Sequence, residues 1–136
     1  MIETRAWTVS FDEFARLCDL VEQYFGETVD EVAVHAPVSK RQLVAVLARA
    51  QIAGHDLTAS GRLERSDIVY QSSRETLCWL ETAFWDELRE SHNLSSTECL
   101  AACNVHRRII EAVDSRSMAD DHSRDPFVFI EHPIET

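Results

Sequence analysis

Cys99, Cys103 and His106 are spaced i, i+4 and i+7, so on a helix they share one face. Two thiolates and an imidazole so placed could bind zinc, whose structural sites take four such ligands. Cys18 and Cys78 are the other cysteines. In a helical hairpin that sets Cys103 against Phe84 and Cys78 against Ile109, about 9 Å of helix separates Cys78 from the level of Cys103. The spacing specifies no fourth ligand, so the cysteines read as reduced, packed side chains, and no metal or other cofactor is expected. The same register sets Glu81 opposite His106. A buried carboxylate and imidazole at one level should pair, because each alone would carry a desolvation penalty of about 1–3 kcal/mol. Such a couple could exchange protons. With no nucleophile or oxyanion donor beside it, Glu81–His106 is expected to be a buried polar pair, and no catalytic residue is assigned.

His35 and His55-Asp56 loosely resemble the metal-binding pattern of the HD-domain phosphohydrolases, which are helical. The resemblance implies a metal-dependent helical hydrolase and covers three residues. The chain departs from that family in Leu57-Thr58-Ala59, which follow the His-Asp pair. Other catalytic signatures are missing. Gly26, Gly54 and Gly61 are the only glycines and stand far apart, which excludes the usual glycine-rich phosphate loops and the dinucleotide fingerprint. There is no His-Glu-x-x-His, Cys-x-x-Cys or Gly-x-Ser-x-Gly.

The 136 residues suit one domain, and their 13 basic against 24 acidic side chains give a net charge of −11. Lys40 is the only lysine. An acidic surface nearly devoid of lysine resembles the proteins of salt-loving archaea, a GC-rich genome alone also favours Arg over Lys, and the charge disfavours non-specific binding to nucleic acid or anionic lipid. Residues 32–65 form a basic island, with Lys40, Arg41, Arg49, Arg62 and Arg65 against Asp56 and Glu64. No run approaches the ~20 apolar residues that cross a bilayer. Met1–Val9 has no secretory-type apolar core, so a cytoplasmic or virion location is expected.

These side chains must be positioned by helices. Ser10–Glu13, Thr28–Glu31, Ser39–Gln42, Ser72–Glu75 and Ser95–Glu98 all fit the capping box, in which hydroxyl and carboxylate or carboxamide each accept from the other residue's amide. The spacing predicts a first helix over 11–25 stopping at Gly26, and a second from Ser39 to Gly54. Residues 28–36 and 67–71 fit either helix or strand, and 55–66 read as loop. The largest element predicted is an antiparallel helical hairpin, 72–91 and 97–114, turning at His92–Ser95. Residues 115–125 read as a polar linker. Phe127-Val128-Phe129-Ile130, apolar on both sides, read as an extended arm that must be covered.

The expectation is a mainly α domain over 1–114, with four to five helices, a linker at 115–125 and an extended arm at 126–136. Its expected role is non-enzymatic: a small acidic adaptor or assembly subunit that binds another protein or its own copies. Trp79, placed off the apolar stripe of its predicted helix, and Phe127, Phe129 and Ile130 are the candidate contact residues. Lys40, Arg41 and Arg49 are the basic patch of an alternative, nucleic-acid-associated role, and the metal-dependent hydrolase is a third.

Overall fold

The computed structural model describes residues 11–59, 67–81, 83–113 and 124–130. Helix α1 (Phe11–His35) buries Val21, Phe25, Val29 and Val32 along one stripe. That stripe keeps its phase through Gly26, so the helix continues there, and Thr28 and Glu31 lie within it instead of capping a new one. Helix α2 (Lys40–Ala59) opens on a complete capping box: the Gln42 amide donates to Ser39 Oγ at 3.1 Å, and the Ser39 amide donates to Gln42 Oε1 at 2.9 Å. It is buried almost all round, from Leu43 and Val44 to Gln51 and Ile52. Residues 55–59, expected as loop, extend it past Gly54.

Strands β1 (Ile68–Gln71) and β2 (Glu75–Glu81) form a hairpin where the first arm of the helical hairpin was expected to begin. Ser72 and Glu75 do interact, but as the corners of a turn. The Ser72 amide donates to the Glu75 carbonyl at 2.9 Å, and Ser72 Oγ accepts from the Arg74 and Glu75 amides. Ser-x-x-Glu spacing serves a tight turn as well as a helix start, since both place a hydroxyl near amides two and three residues on. Thr76 to Leu80 are then five successive buried residues, a run whose periodicity does not separate a doubly covered strand from a buried helix.

Helix α3 (Phe84–His92) follows a left-handed Ala83 (φ 96°), and α4 (Ser96–Val113) completes the hairpin, whose first arm is nine residues long. Its turn falls at His92–Ser95, as expected. Asn93 is left-handed, and the Leu94 amide donates to the Arg89 carbonyl at 2.9 Å, closing α3. Ser95 and Glu98 cap α4 reciprocally at 3.1 and 2.9 Å. Strand β3 (Arg124–Ile130) begins two residues before the expected arm. The remainder of the expected linker, 115–123, and the Ser10 of the first box lie outside the described residues.

The described chain is therefore mainly helical, with a three-stranded antiparallel sheet in the order β1-β2-β3. Leu77, Cys78 and Trp79 of β2 lie opposite Val128, Phe127 and Pro126 of β3. Helices α1, α2 and α4 pack on one another, and β3 lies against α2 and α4. Arg124 reaches across β2, donating to the Trp79 carbonyl and to Asp67 just before β1.

The two helical glycines differ in kind. A Cβ at Gly26 would meet nothing within 4 Å, whereas one at Gly54 would run into the Phe127 ring. Gly26→Ala should stabilise the protein by about 0.5–1 kcal/mol through helix propensity. Gly54→Ala should destabilise it by about 1–3 kcal/mol through overpacking. Urea titrations of the two variants beside the parent chain test both signs.

Candidate functional site

The chemically distinctive residues converge on the outer side of β3. Alternate residues of an antiparallel strand turn their amides and carbonyls to the same side. At Val128 and Ile130 these groups meet side chains of two helices in place of a fourth strand. Gln51 Nε2 of α2 donates to the Val128 carbonyl at 2.7 Å, and the Ile130 amide donates to Gln51 Oε1 at 2.9 Å. The Val128 amide donates to His106 Nδ1 of α4 at 2.8 Å. A carboxamide carries the same donor and acceptor as a peptide unit, so Gln51 stands in for a neighbouring strand. All three backbone groups are satisfied where water cannot reach: Gln51 is 2% exposed and His106 0%.

Because Nδ1 accepts, the neutral imidazole carries its proton on Nε2, and that nitrogen has no hydrogen-bond partner among the described residues. Rings surround it. Phe127 stacks on it at 5.0 Å between centroids, Trp85 stands edge-on at 4.9 Å, and Phe25 lies at 5.2 Å. Burial without a countercharge pushes the imidazole down to about 3.

Trp85 joins this cluster to the start of β3. Its indole Nε1 donates to the Pro126 carbonyl at 2.9 Å, and its amide donates to Asp125 Oδ2 at 3.2 Å. Asp125 also accepts from the Ala83 and Phe84 amides, so it caps α3 from forty residues away. Its burial still raises the carboxyl above its ordinary value. At the other end of the β2–β3 ladder Glu75 accepts from Tyr24 Oη and Ser72 Oγ, each at 2.7 Å, which ties the β1–β2 turn to α1 and lowers the Glu75 carboxyl.

The cysteine–histidine face of α4 exists, but its members have separate partners. Cys99 Sγ donates to the Trp85 carbonyl at 3.2 Å, Arg107 Nη2 reaches Cys103 Sγ at 4.0 Å, and His106 holds β3. Burial pushes Cys99 and Cys103 up to about 11 and Cys78 to about 12, so all three remain thiols at neutral pH. Among the described residues no group of three or more His, Cys, Asp or Glu is placed to hold a metal ion.

The expected helical register of Glu81 and His106 does not form, because position 81 ends β2, opposite Arg124. The Glu81 side chain lies outside those described. Trp79 was expected off the apolar stripe of a helix; as a strand residue it is 7% exposed, with the Arg107 guanidinium 5.8 Å from its ring centroid. Phe127 and Ile130 are buried within this chain, and Phe129 is half-buried with its ring 6.1 Å from that of His55. The basic residues of α2 are dispersed. Lys40 pairs with Asp30 of α1 at 2.8 Å, Arg49 lies over the Phe14 ring, and Arg41 is exposed. His35 ends α1 and His55 lies on α2, both exposed; the Asp56 side chain is outside those described. Gln51 was not singled out from the sequence. Its signal is one carboxamide within the buried run Leu47–Ile52, interrupted only by Arg49.

Replacing Gln51 with Leu preserves approximate volume but leaves the Val128 carbonyl and Ile130 amide buried without partners. Each unmet group costs about 1–3 kcal/mol, so Gln51→Leu should lose about 2–5 kcal/mol in urea unfolding despite being more apolar. A loss below about 1 kcal/mol would show that water satisfies this edge.

A family model described as a domain of unknown function, DUF8048, matches residues 19–131, and the chain belongs to that family. The match takes in Gln51, His106 and the whole of β3. No curated protein and no solved structure matches the chain.

Proposed function

We propose that this DUF8048 chain is a non-catalytic interaction module that receives a short extended segment of another protein along the outer edge of β1. The observation that carries the reading is the inequality of the two sheet edges. The β3 edge is closed from within by Gln51 and His106, whereas among the described residues β1 ends the sheet and presents an exposed Tyr70 (43%). An edge strand offers a ladder of amides and carbonyls to an incoming chain. β1 has four residues and a register shift between Ile68 and Tyr70, so it suits a short segment better than a long strand.

Charge indicates the kind of partner. The exposed face of α1 carries Asp12, Glu13, Asp19, Glu22 and Glu27 in a chain of net charge −11. This favours a partner with a basic surface and works against a second copy. The non-catalytic part of the reading draws support from the buried Cys78, Cys99 and His106 and the half-buried Cys103, all uncharged at neutral pH and engaged with backbone or Arg107.

The test compares the parent chain with Tyr70→Lys, an exposed change that should alter folding stability by no more than about 0.5 kcal/mol. Affinity capture from the native source and light scattering of the eluate should give a stoichiometric complex with a basic protein. It should weaken with added salt and be lost in the variant. Equal capture by Tyr70→Lys, or recovery of self-associated chain alone, overturns the proposal.

A further inference from the structure

We propose that β3 is an acid-released strand and that His106 is the proton-sensitive catch that holds it. The geometry supplies the mechanism. Nδ1 accepts the Val128 amide only while unprotonated; a proton there turns an acceptor into a donor facing another donor. The stacked Phe127 ring and Val128 belong to the strand itself, so lifting β3 uncovers both the ring face and Nδ1. The open form is then the one that binds the proton.

The groups that face the imidazole cannot compensate its charge. Among the described residues they are Phe25 on α1, Trp85 on α3, Phe127 and Val128 on β3, with Gln51 of α2 at the same strand edge. None is titratable or charged, and burial alone accounts for the depressed pKa. Of the carboxyls along the β2–β3 ladder, Asp125 is held by α3 amides and Glu75 by Tyr24 and Ser72. The sign follows from the depression. A histidine whose folded pKa lies below its unfolded 6.5 contributes its full stability above 6.5 and loses it as the pH falls towards 3.

Release should be local, because α1, α2 and α4 also pack on one another without β3. It would bare the edge of β2 from Glu75 to Glu81, which is paired in the closed form. Acid would thereby create a second receptive edge, on the opposite side of the sheet from β1.

Amide hydrogen exchange on the full chain between pH 7 and pH 5, expressed as protection factors, tests the proposal. The Val128 and Ile130 amides should lose about tenfold in protection per pH unit below 6.5, roughly 30-fold by pH 5. Leu47 and Ala48 of α2 should change little. In His106→Gln, which offers an acceptor but no proton site, the β3 slope should vanish. A flat β3 profile in the parent chain overturns the proposal. So does a parallel loss in α2, which would mean global acid unfolding, or a slope that persists in His106→Gln. Should that variant not fold, the contrast between β3 and α2 in the parent chain decides alone.

Discussion

A strand buried on both faces and on its outer edge must find partners for backbone groups that water cannot reach, and the architecture is organised around that requirement at β3. Two side chains from different helices meet it. Gln51 and His106 occupy one edge of one strand, so α2 and α4 must lie alongside it. The Phe127 ring of that strand fills the notch where Gly54 lacks a side chain. Trp85 and Asp125 then fix the start of α3 against the start of β3. Removing either polar partner is costly because an orphaned buried amide or carbonyl forfeits its full desolvation energy.

The helical part of this arrangement was legible because its signals are local. Ser39–Gln42 and Ser95–Glu98 form the expected boxes, and Phe127–Ile130 is covered, as a run apolar on both sides requires. The errors share a cause: a local motif was given one meaning when the chain admits two. Ser72–Glu75 closes a strand turn. Gly26 and Gly54, read as helix stops, stand inside helices, one where nothing is near and the other where only hydrogen fits. Tertiary packing chose in each case.

The candidate site was half legible. His106 stood out as a polar residue on an apolar face, but its partner is a backbone amide 22 residues on, and no side-chain pattern announces a backbone partner. Gln51 was hidden for the same reason, since it answers to atoms that every residue possesses. Trp79 lies off the apolar stripe only on a helix, and its segment is a strand that buries it. The charge, by contrast, needs no fold to be read. The net charge of −11 is a sum over side chains and is the same for any arrangement of these helices.

The cap on α3 has a bearing on how the molecule is made. Asp125 reaches the helix start across 40 residues, and Gln51 meets Ile130 across 79. During synthesis α1 and α2 can form and associate early, but α3 lacks its cap and the centre of the protein lacks Phe127 until the last strand has emerged. Contacts of such span carry loop-closure entropy before any return, which places the docking of β3 late in folding. Until then the nascent chain exposes the apolar flanks of α2 and α4 and an unpaired edge of β2, so the interval before that strand arrives is when the protein is most open to wrong partners.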